Sequence, residues 1–175
     1  MSEKRRILHS CAELLIENNL TIAFAESATA GKVCSELALI LHAGKFLKGG
    51  IVCYDAELKE NILKVPMGLI NVFTPESMEV TRAITDGLSR IIKADFYVGV
   101  TGLTCPGGSE TPDKPVGTIF VFGRHGQQQM FSERVVFTGS VDHIIDQTVK
   151  LIGEKLYAYL HALKKSNGLR TMAES

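Results

Sequence analysis

The sequence has no tryptophan, and aromatic residues fill only 7% of its 175 positions. It has five prolines, four cysteines and no surplus of either charge: Lys+Arg and Asp+Glu are 19 each, for a formal net charge of zero. Each shortage excludes something. Cys11, Cys34, Cys53 and Cys105 form no C-x-x-C pair and no Cys/His spacing that could close a tetrahedral zinc site. They read as unpaired thiols of a reducing compartment, because a chain of this length has core enough without cross-links. The balanced charge argues against a broad grip on nucleic acid, which needs surplus cations to displace counterions. No apolar run approaches the roughly 20 residues that span a bilayer. The first residues, Ser2-Glu3-Lys4-Arg5-Arg6, lack the apolar core and cleavage site of a signal peptide. A cytoplasmic chain with no membrane or nucleic-acid partner and no metal is expected, with its five scattered histidines at the surface.

What is present suits one compact domain: hydrophobic residues are 45% and charged ones 22%. The domain is expected over residues 1–163, with residues 164–175 a polar, frayed tail. Apolar residues at Ile7, Leu8, Cys11, Leu14 and Leu15 mark a first helix. Thr21 to Ala25 reads as a buried strand, and Val33, Leu37, Ile40 and Leu41 as one face of a second helix. Gly49 to Tyr54 is a strand, and Asp55 is the N-cap of a short helix from Ala56 that Val65-Pro66 stops. Thr74-Pro75-Glu76 opens a helix with Val80, Ile84, Leu88 and Ile91 facing in. Residues 96–100, 116–122 and 130–137 are strands, the last two joined at His125-Gly126-Gln127. Thr138-Gly139-Ser140 opens a final helix with Val141, Ile144, Ile145, Thr148, Leu151 and Ile152 inward. Strands alternating with helices predict a three-layer α/β/α domain on a mixed central sheet, antiparallel where the last strands lack crossover helices.

Three segments could carry chemistry. Ser27 lies in a turn of small residues between strand and helix, where free backbone N–H groups stabilise an oxyanion or phosphate. Ser27 is a nucleophile or simply an N-cap, and local sequence favours the cap. The turn is no P-loop, since Glu26 stands in place of the first glycine and Gly31-Lys32 lacks the following hydroxyl residue. The second segment runs from Tyr54 to Lys59: the lysine is a general base if its pKa is depressed, and otherwise a solvated helix residue, which local sequence favours. The third is a long loop, Thr101-Gly102-Leu103-Thr104-Cys105-Pro106-Gly107-Gly108-Ser109, continuing to Lys114-Pro115-Val116-Gly117-Thr118. Its glycines allow close backbone approach and its N–H groups an anion nest, so ligand binding is favoured over an idle loop. Cys105 has no histidine adjacent and is read as a turn cysteine rather than a nucleophile.

In order, A-E-S-x-T-x-G at 25–31, F-x-x-G-G-x-V-x-Y-x-x-x-x-K at 46–59, T-G-x-x-x-P-G-G at 101–108 and K-P-V-G-T at 114–118 form a specific set. The chain resembles the C-terminal domain of the competence/damage-inducible CinA family, whose stand-alone members are nicotinamide-nucleotide amidases. The likeness covers Ala25 to Thr118 and extends weakly into the final helix. It implies the single-domain form, without the family's N-terminal partner domain.

The resemblance implies hydrolysis of the carboxamide of nicotinamide mononucleotide to nicotinic acid mononucleotide and ammonia, with no cofactor. It assigns Ser27 as nucleophile with Tyr54 and Lys59 assisting, against the local readings of Ser27 and Lys59. N–H groups around Ala28, Thr29, Ala30 and Gly31 would hold the oxyanion. Thr101, Gly102, Cys105, Gly107, Gly108, Lys114, Gly117 and Thr118 would hold ribose and phosphate. A homodimer or larger homo-oligomer is implied as well. The sequence departs from the family pattern in three places. Ala28-Thr29-Ala30-Gly31 stands for Cys-Thr-Gly-Gly, Asp55-Ala56 for Ser-Asn after the tyrosine, and Cys105 for the glycine before the proline. These departures bear on substrate fit and motivate a rival reading, a pyridine-nucleotide-binding module with little or no turnover.

Overall fold

The computed structural model describes residues 2–173, and side chains through residue 166. The chain runs α1 (Glu3–Glu17), β1 (Ile22–Glu26), α2 (Lys32–Ala38), a 3-10 turn (Ala43–Lys45), β2 (Leu47–Val52), α3 (Ala56–Asn61), α4 (Leu69–Phe73), α5 (Met78–Ile91), β3 (Phe96–Gly102), β4 (Thr118–His125), β5 (Gln128–Val136) and α6 (Val141–Ala173). The five strands form one sheet in the order β2-β1-β3-β4-β5. β1 pairs in parallel with both β2 and β3, whereas β3, β4 and β5 are antiparallel, so the domain is the expected α/β layer structure on a mixed sheet.

The period of two along the inner strands sorts the core into two halves. Ile22 and Phe24 of β1, with Phe96, Val98 and Val100 of β3, face a cluster built with α1, α2 and α6. Ala23 and Ala25, with Tyr97, face a second cluster with Cys53, Leu63 and the Val80-Ile84-Leu88 stripe of α5. Small residues on that second face let α5 approach closely. A side chain at Gly99 would run into Thr85 Oγ1 and the Thr81 carbonyl.

Most elements lie where the periodicity puts them, and the exceptions have local causes. The chain makes an extra helix, α4, which Thr74 closes in the left-handed region at φ 69° with its N–H on Ile70 O at 2.8 Å. Thr74 therefore cannot cap α5. Ser77 does so instead, its Oγ accepting from Val80 N at 3.3 Å, and Pro75 and Glu76 fall in the bridge before the helix. Ile91 and Val141 sit at helix margins and Leu41 lies beyond the end of α2, and all three are exposed rather than inward. His125 is not a free surface histidine, for its ring packs 4.5 Å from that of Phe96. The last helix continues to Ala173, through most of the stretch expected to fray from Lys164; residues 174–175 lie outside the described residues. Among the described residues no helix is long and apolar enough to cross a membrane.

Gly99→Ala is expected to lower stability by about 1–3 kcal/mol, the usual cost of overpacking a close helix–sheet contact. Chemical unfolding checks this; an unchanged midpoint would mean that α5 is free to shift away from β3.

Candidate active site

β1 and β3 are parallel neighbours, and the chain leaves β1 toward β2 on its other side. The strand order reverses between β1 and β3, and in open α/β sheets the crevice beyond the carboxyl ends at such a point binds ligands. Ser27 is the first residue past β1 at that crevice. Its N–H donates to Val100 O at 3.0 Å, which fixes it against β3.

Glu26 builds the turn around it. The carboxylate is fully buried, its Oε2 accepting from Thr29 Oγ1 at 2.6 Å, Gly31 N at 2.9 Å and Val33 N at 3.1 Å. Its Oε1 accepts from Cys34 N at 2.9 Å. A buried carboxylate is tolerable only with such compensation, and here the donors are the orphan N–H groups opening α2. The helix N-terminus expected to hold a substrate anion is thus occupied by the chain's own carboxylate. Ala30 N–H is engaged too, donating to Ser27 O at 3.2 Å. These bonds leave out the N–H groups of Ala28 and Thr29, of which Ala28 shares a pocket with the serine. Ala30 sits at φ 47° and Gly31 at φ 93°, so an alanine occupies a left-handed position that costs it about 1–2 kcal/mol.

Ser27 is 7% exposed, and its hydroxyl makes no hydrogen bond among the described residues. It lines a pocket of about 200 Å³ together with Ala28, Tyr54, Glu76 and Gly102, and with the loop from Leu103 through Thr104, Cys105, Pro106 and Gly107 to Gly108. Tyr54 is 61% exposed at this pocket.

Lys59 is not the solvated lysine that a six-residue helix suggests: it is 1% exposed. Its Nζ donates to Cys53 O at 2.8 Å and Tyr54 O at 3.1 Å, and Cys53 N in turn donates to Glu26 O at 2.8 Å. Burial drives the lysine pKa below its ordinary 10.5, against weaker upward pulls from Cys53, Glu76 and Asp55. The same burial pushes the neighbouring Cys53 thiol up to about 11.

The residues expected to bind ribose and phosphate divide. Ala28, Gly102, Cys105, Gly107 and Gly108 line the Ser27 pocket. Thr29, Ala30 and Gly31 line a separate, larger cleft of about 450 Å³ that they share with Asp142 and Asp146 at the start of α6. Thr101 is buried with its Oγ1 2.8 Å from Thr81 Oγ1, and Thr118 Oγ1 donates to Pro115 O at 2.6 Å. Gly117 has φ 94° and lies hard against the Phe137 carbonyl, so it serves the loop rather than a ligand. Lys114 Nζ is held by Thr74 Oγ1 at 2.6 Å, Ser109 Oγ at 2.7 Å and Glu76 O at 3.1 Å, which keeps it out of the pocket lining. The glycine-loop nest is filled from within: Gly107 N–H donates to Glu110 Oε1 at 2.8 Å and holds that carboxyl below its ordinary pKa. Leu103, Thr104 and Pro106 join the pocket from the loop expected to bind a ligand, and Glu76 joins it from outside the three candidate segments. A carboxylate in the expected first turn of a helix reads as a dipole partner, and the fold makes it line the same pocket as Ser27.

With this geometry in place, comparison with other proteins decides the family. The family model for the CinA C-terminal domain matches residues 4–160. The chain belongs to that family. The match contains Ser27, Tyr54, Lys59 and the whole pocket lining. A CinA-like protein of Citrifermentans bemidjiense is 34% identical over 157 residues, covering 90% of this chain and 37% of that relative. One of Thermotoga neapolitana is 33% identical over 147 residues, covering 84% and 35%. The chain thus spans about a third of the length of these curated relatives. A CinA superfamily structure from Klebsiella pneumoniae superposes with a TM-score of 0.86 at 24% identity over 92% of this chain and 99% of that one. The structure of a competence/damage inducible protein from Agrobacterium tumefaciens gives 0.85 at 22% over 91% and 96%. These two establish the CinA fold for the domain.

Two substitutions test the turn. Glu26→Ala is expected to cost about 3–5 kcal/mol, because it strands several buried N–H groups at once. Ala30→Gly is expected to stabilise by up to about 1 kcal/mol, the left-handed strain less the entropy of glycine. Thermal unfolding of both variants checks the pair; a stabilising Glu26→Ala would reject the carboxylate as the organiser of the turn.

Proposed function

We propose that the chain is an amidohydrolase that converts nicotinamide mononucleotide and water to nicotinic acid mononucleotide and ammonia. The carrying observation is Ser27, a nearly buried hydroxyl without a protein partner that opens on a pocket at the switch point of the sheet. A serine spared every structural hydrogen bond is available to a substrate.

Lys59 supplies the second part. A neutral amine has two N–H donors and one lone pair, and the two carbonyls of Cys53 and Tyr54 take up the two donors. The lone pair is left to accept a proton, and burial favours that neutral form. The Ser27 proton passes to Lys59, directly or through the Tyr54 hydroxyl, as Oγ bonds to the carboxamide carbon. The charge gathering on the carbonyl oxygen meets the Ala28 N–H group at the pocket wall. Breaking the C–N bond returns the proton to the leaving nitrogen as ammonia. Water then attacks the Ser27 ester, gives one proton to Lys59 and restores the serine as the acid departs.

Ammonia release from nicotinamide mononucleotide is the direct test. Wild type is expected to turn over and Ser27→Ala to be inactive with little change in stability, because the hydroxyl holds no hydrogen bond among the described residues. Equal rates in the two proteins reject Ser27. A silent wild type whose melting temperature the nucleotide still raises makes the domain a binding module instead. Lys59→Arg is expected to be inactive, since a guanidinium does not deprotonate near neutral pH. Because the base must be neutral, kcat/KM is expected to rise with pH on a limb centred below 10.5; a flat profile removes Lys59 from this role.

A further inference from the structure

The pocket over Ser27 contains no lysine, arginine or histidine; its ionisable lining residues are Tyr54, Glu76 and Cys105. Both backbone nests that could have received a phosphate are occupied by the chain's own carboxylates, Glu26 at the start of α2 and Glu110 in the glycine loop. Lys114, the nearest loop cation, spends its ammonium on Thr74, Ser109 and Glu76 O. The cavity therefore offers a phosphate neither a cationic side chain nor either of these nests.

Glu76 gives it the opposite preference. Lys114 Nζ donates to Ser109 Oγ, and Ser109 Oγ donates to Glu76 Oε2, so one carboxylate oxygen is oriented from outside the pocket. The other, Oε1, accepts no hydrogen bond among the described residues, and Glu76 forms no ion pair there. A half-satisfied carboxylate in a small pocket with Leu103 and Pro106 as apolar walls suits a flat cation. At about 200 Å³ the pocket is smaller than the roughly 300–1,000 Å³ of clefts that enclose a drug-sized ligand. It accommodates a ring and its carboxamide, while the ring's substituent projects past exposed Tyr54.

We infer that Glu76 is a specificity residue that selects a carboxamide borne on a positively charged, N-substituted pyridinium ring over one on a neutral ring. This deepens the amidase reading and takes its reaction from it, but the charge preference is a binding property that can be measured without turnover. Glu76 meets the ring in ground and transition states alike, so its contribution falls on KM more than on kcat.

The test uses the full chain carrying Ser27→Ala, titrated by calorimetry with 1-methylnicotinamide, a cation, and with nicotinamide, its neutral counterpart. The cation is expected to bind about tenfold tighter or better, and added salt to weaken the cation alone. In Ser27→Ala/Glu76→Gln the preference is expected to collapse to within about twofold. Should that variant fail to fold, Ser27→Ala/Glu76→Asp, which keeps the charge, is expected to retain the preference. Equal binding of the two probes to Ser27→Ala, no heat from the cation, or a preference that survives Glu76→Gln or is lost with Glu76→Asp each overturns the inference. Wild type silent on nicotinamide mononucleotide, with the charge preference intact in calorimetry, rejects the amidase and leaves Glu76 standing. Glu76→Gln also removes a charge that holds the Lys59 pKa up, so kinetic comparison rests on the ratio of cationic to neutral amide at one pH, where that effect cancels.

Discussion

One buried carboxylate organises the centre of this domain. Glu26 ends a strand that is closed to solvent along its whole length, and it leaves no charge unanswered because the opening turn of α2 supplies its donors. Its main chain is committed as well, with the Glu26 carbonyl accepting from Cys53 N at 2.8 Å and the next N–H, of Ser27, reaching Val100 O. The carboxyl ends of β1, β2 and β3 therefore converge on one residue. Ser27 has no freedom to be elsewhere, and Lys59, hung on the Cys53 and Tyr54 carbonyls, is positioned through the same junction. A seven-residue helix would hardly persist alone, and its first turn is held by the side chain that shapes the site.

The same economy governs charge. The domain has no net charge, yet its unsatisfied N–H groups are not left for ligands: Glu26 fills one nest, Glu110 another, and Lys114 is absorbed into the bridge between α4 and α5. What stays uncommitted is small and specific. Among the described residues it includes the Ser27 and Thr104 hydroxyls, the Cys105 thiol, a tyrosine at the mouth, one oxygen of Glu76 and the Ala28 N–H group. A cleft whose remaining groups are so few discriminates by the chemistry of those groups rather than by a broad field.

Much of the fold is legible in the sequence because it rests on local periodicity. The alternation in Ile22-Ala23-Phe24-Ala25 and the stripe Val80-Ile84-Leu88 are each sufficient to place an element. α4 escapes because five residues hold barely one turn of apolar period, and the Thr74-Pro75-Glu76 signal then looks like a helix start when Thr74 is closing the helix before. The site is legible in another way. Spacing alone treats Ser27 as a cap and Lys59 as a surface residue, and only a resemblance spread over four motifs assigns them roles. Glu26 and Glu76 are illegible for a physical reason: a carboxylate's meaning lies in its partners, and Ser109 lies 33 positions from Glu76. The loop residues split for a similar reason, since neighbours in sequence such as Ala28 and Thr29 open onto different cavities.

The departures from the family pattern can be sorted by that geometry. Ala28 and Cys105 line the pocket directly, so they change its walls and volume. Ala30 acts through the backbone, holding a left-handed turn that a glycine adopts without strain. Ala56 packs against the second core cluster just past the Asp55 cap, where it supports the helix that carries Lys59. None of these, nor Asp55 at the helix cap, replaces a group that exchanges a proton or bonds to carbon in the proposed reaction. The departures therefore fall on the wall and on the turn, whereas Ser27, Tyr54 and Lys59 match the pattern that the resemblance implies.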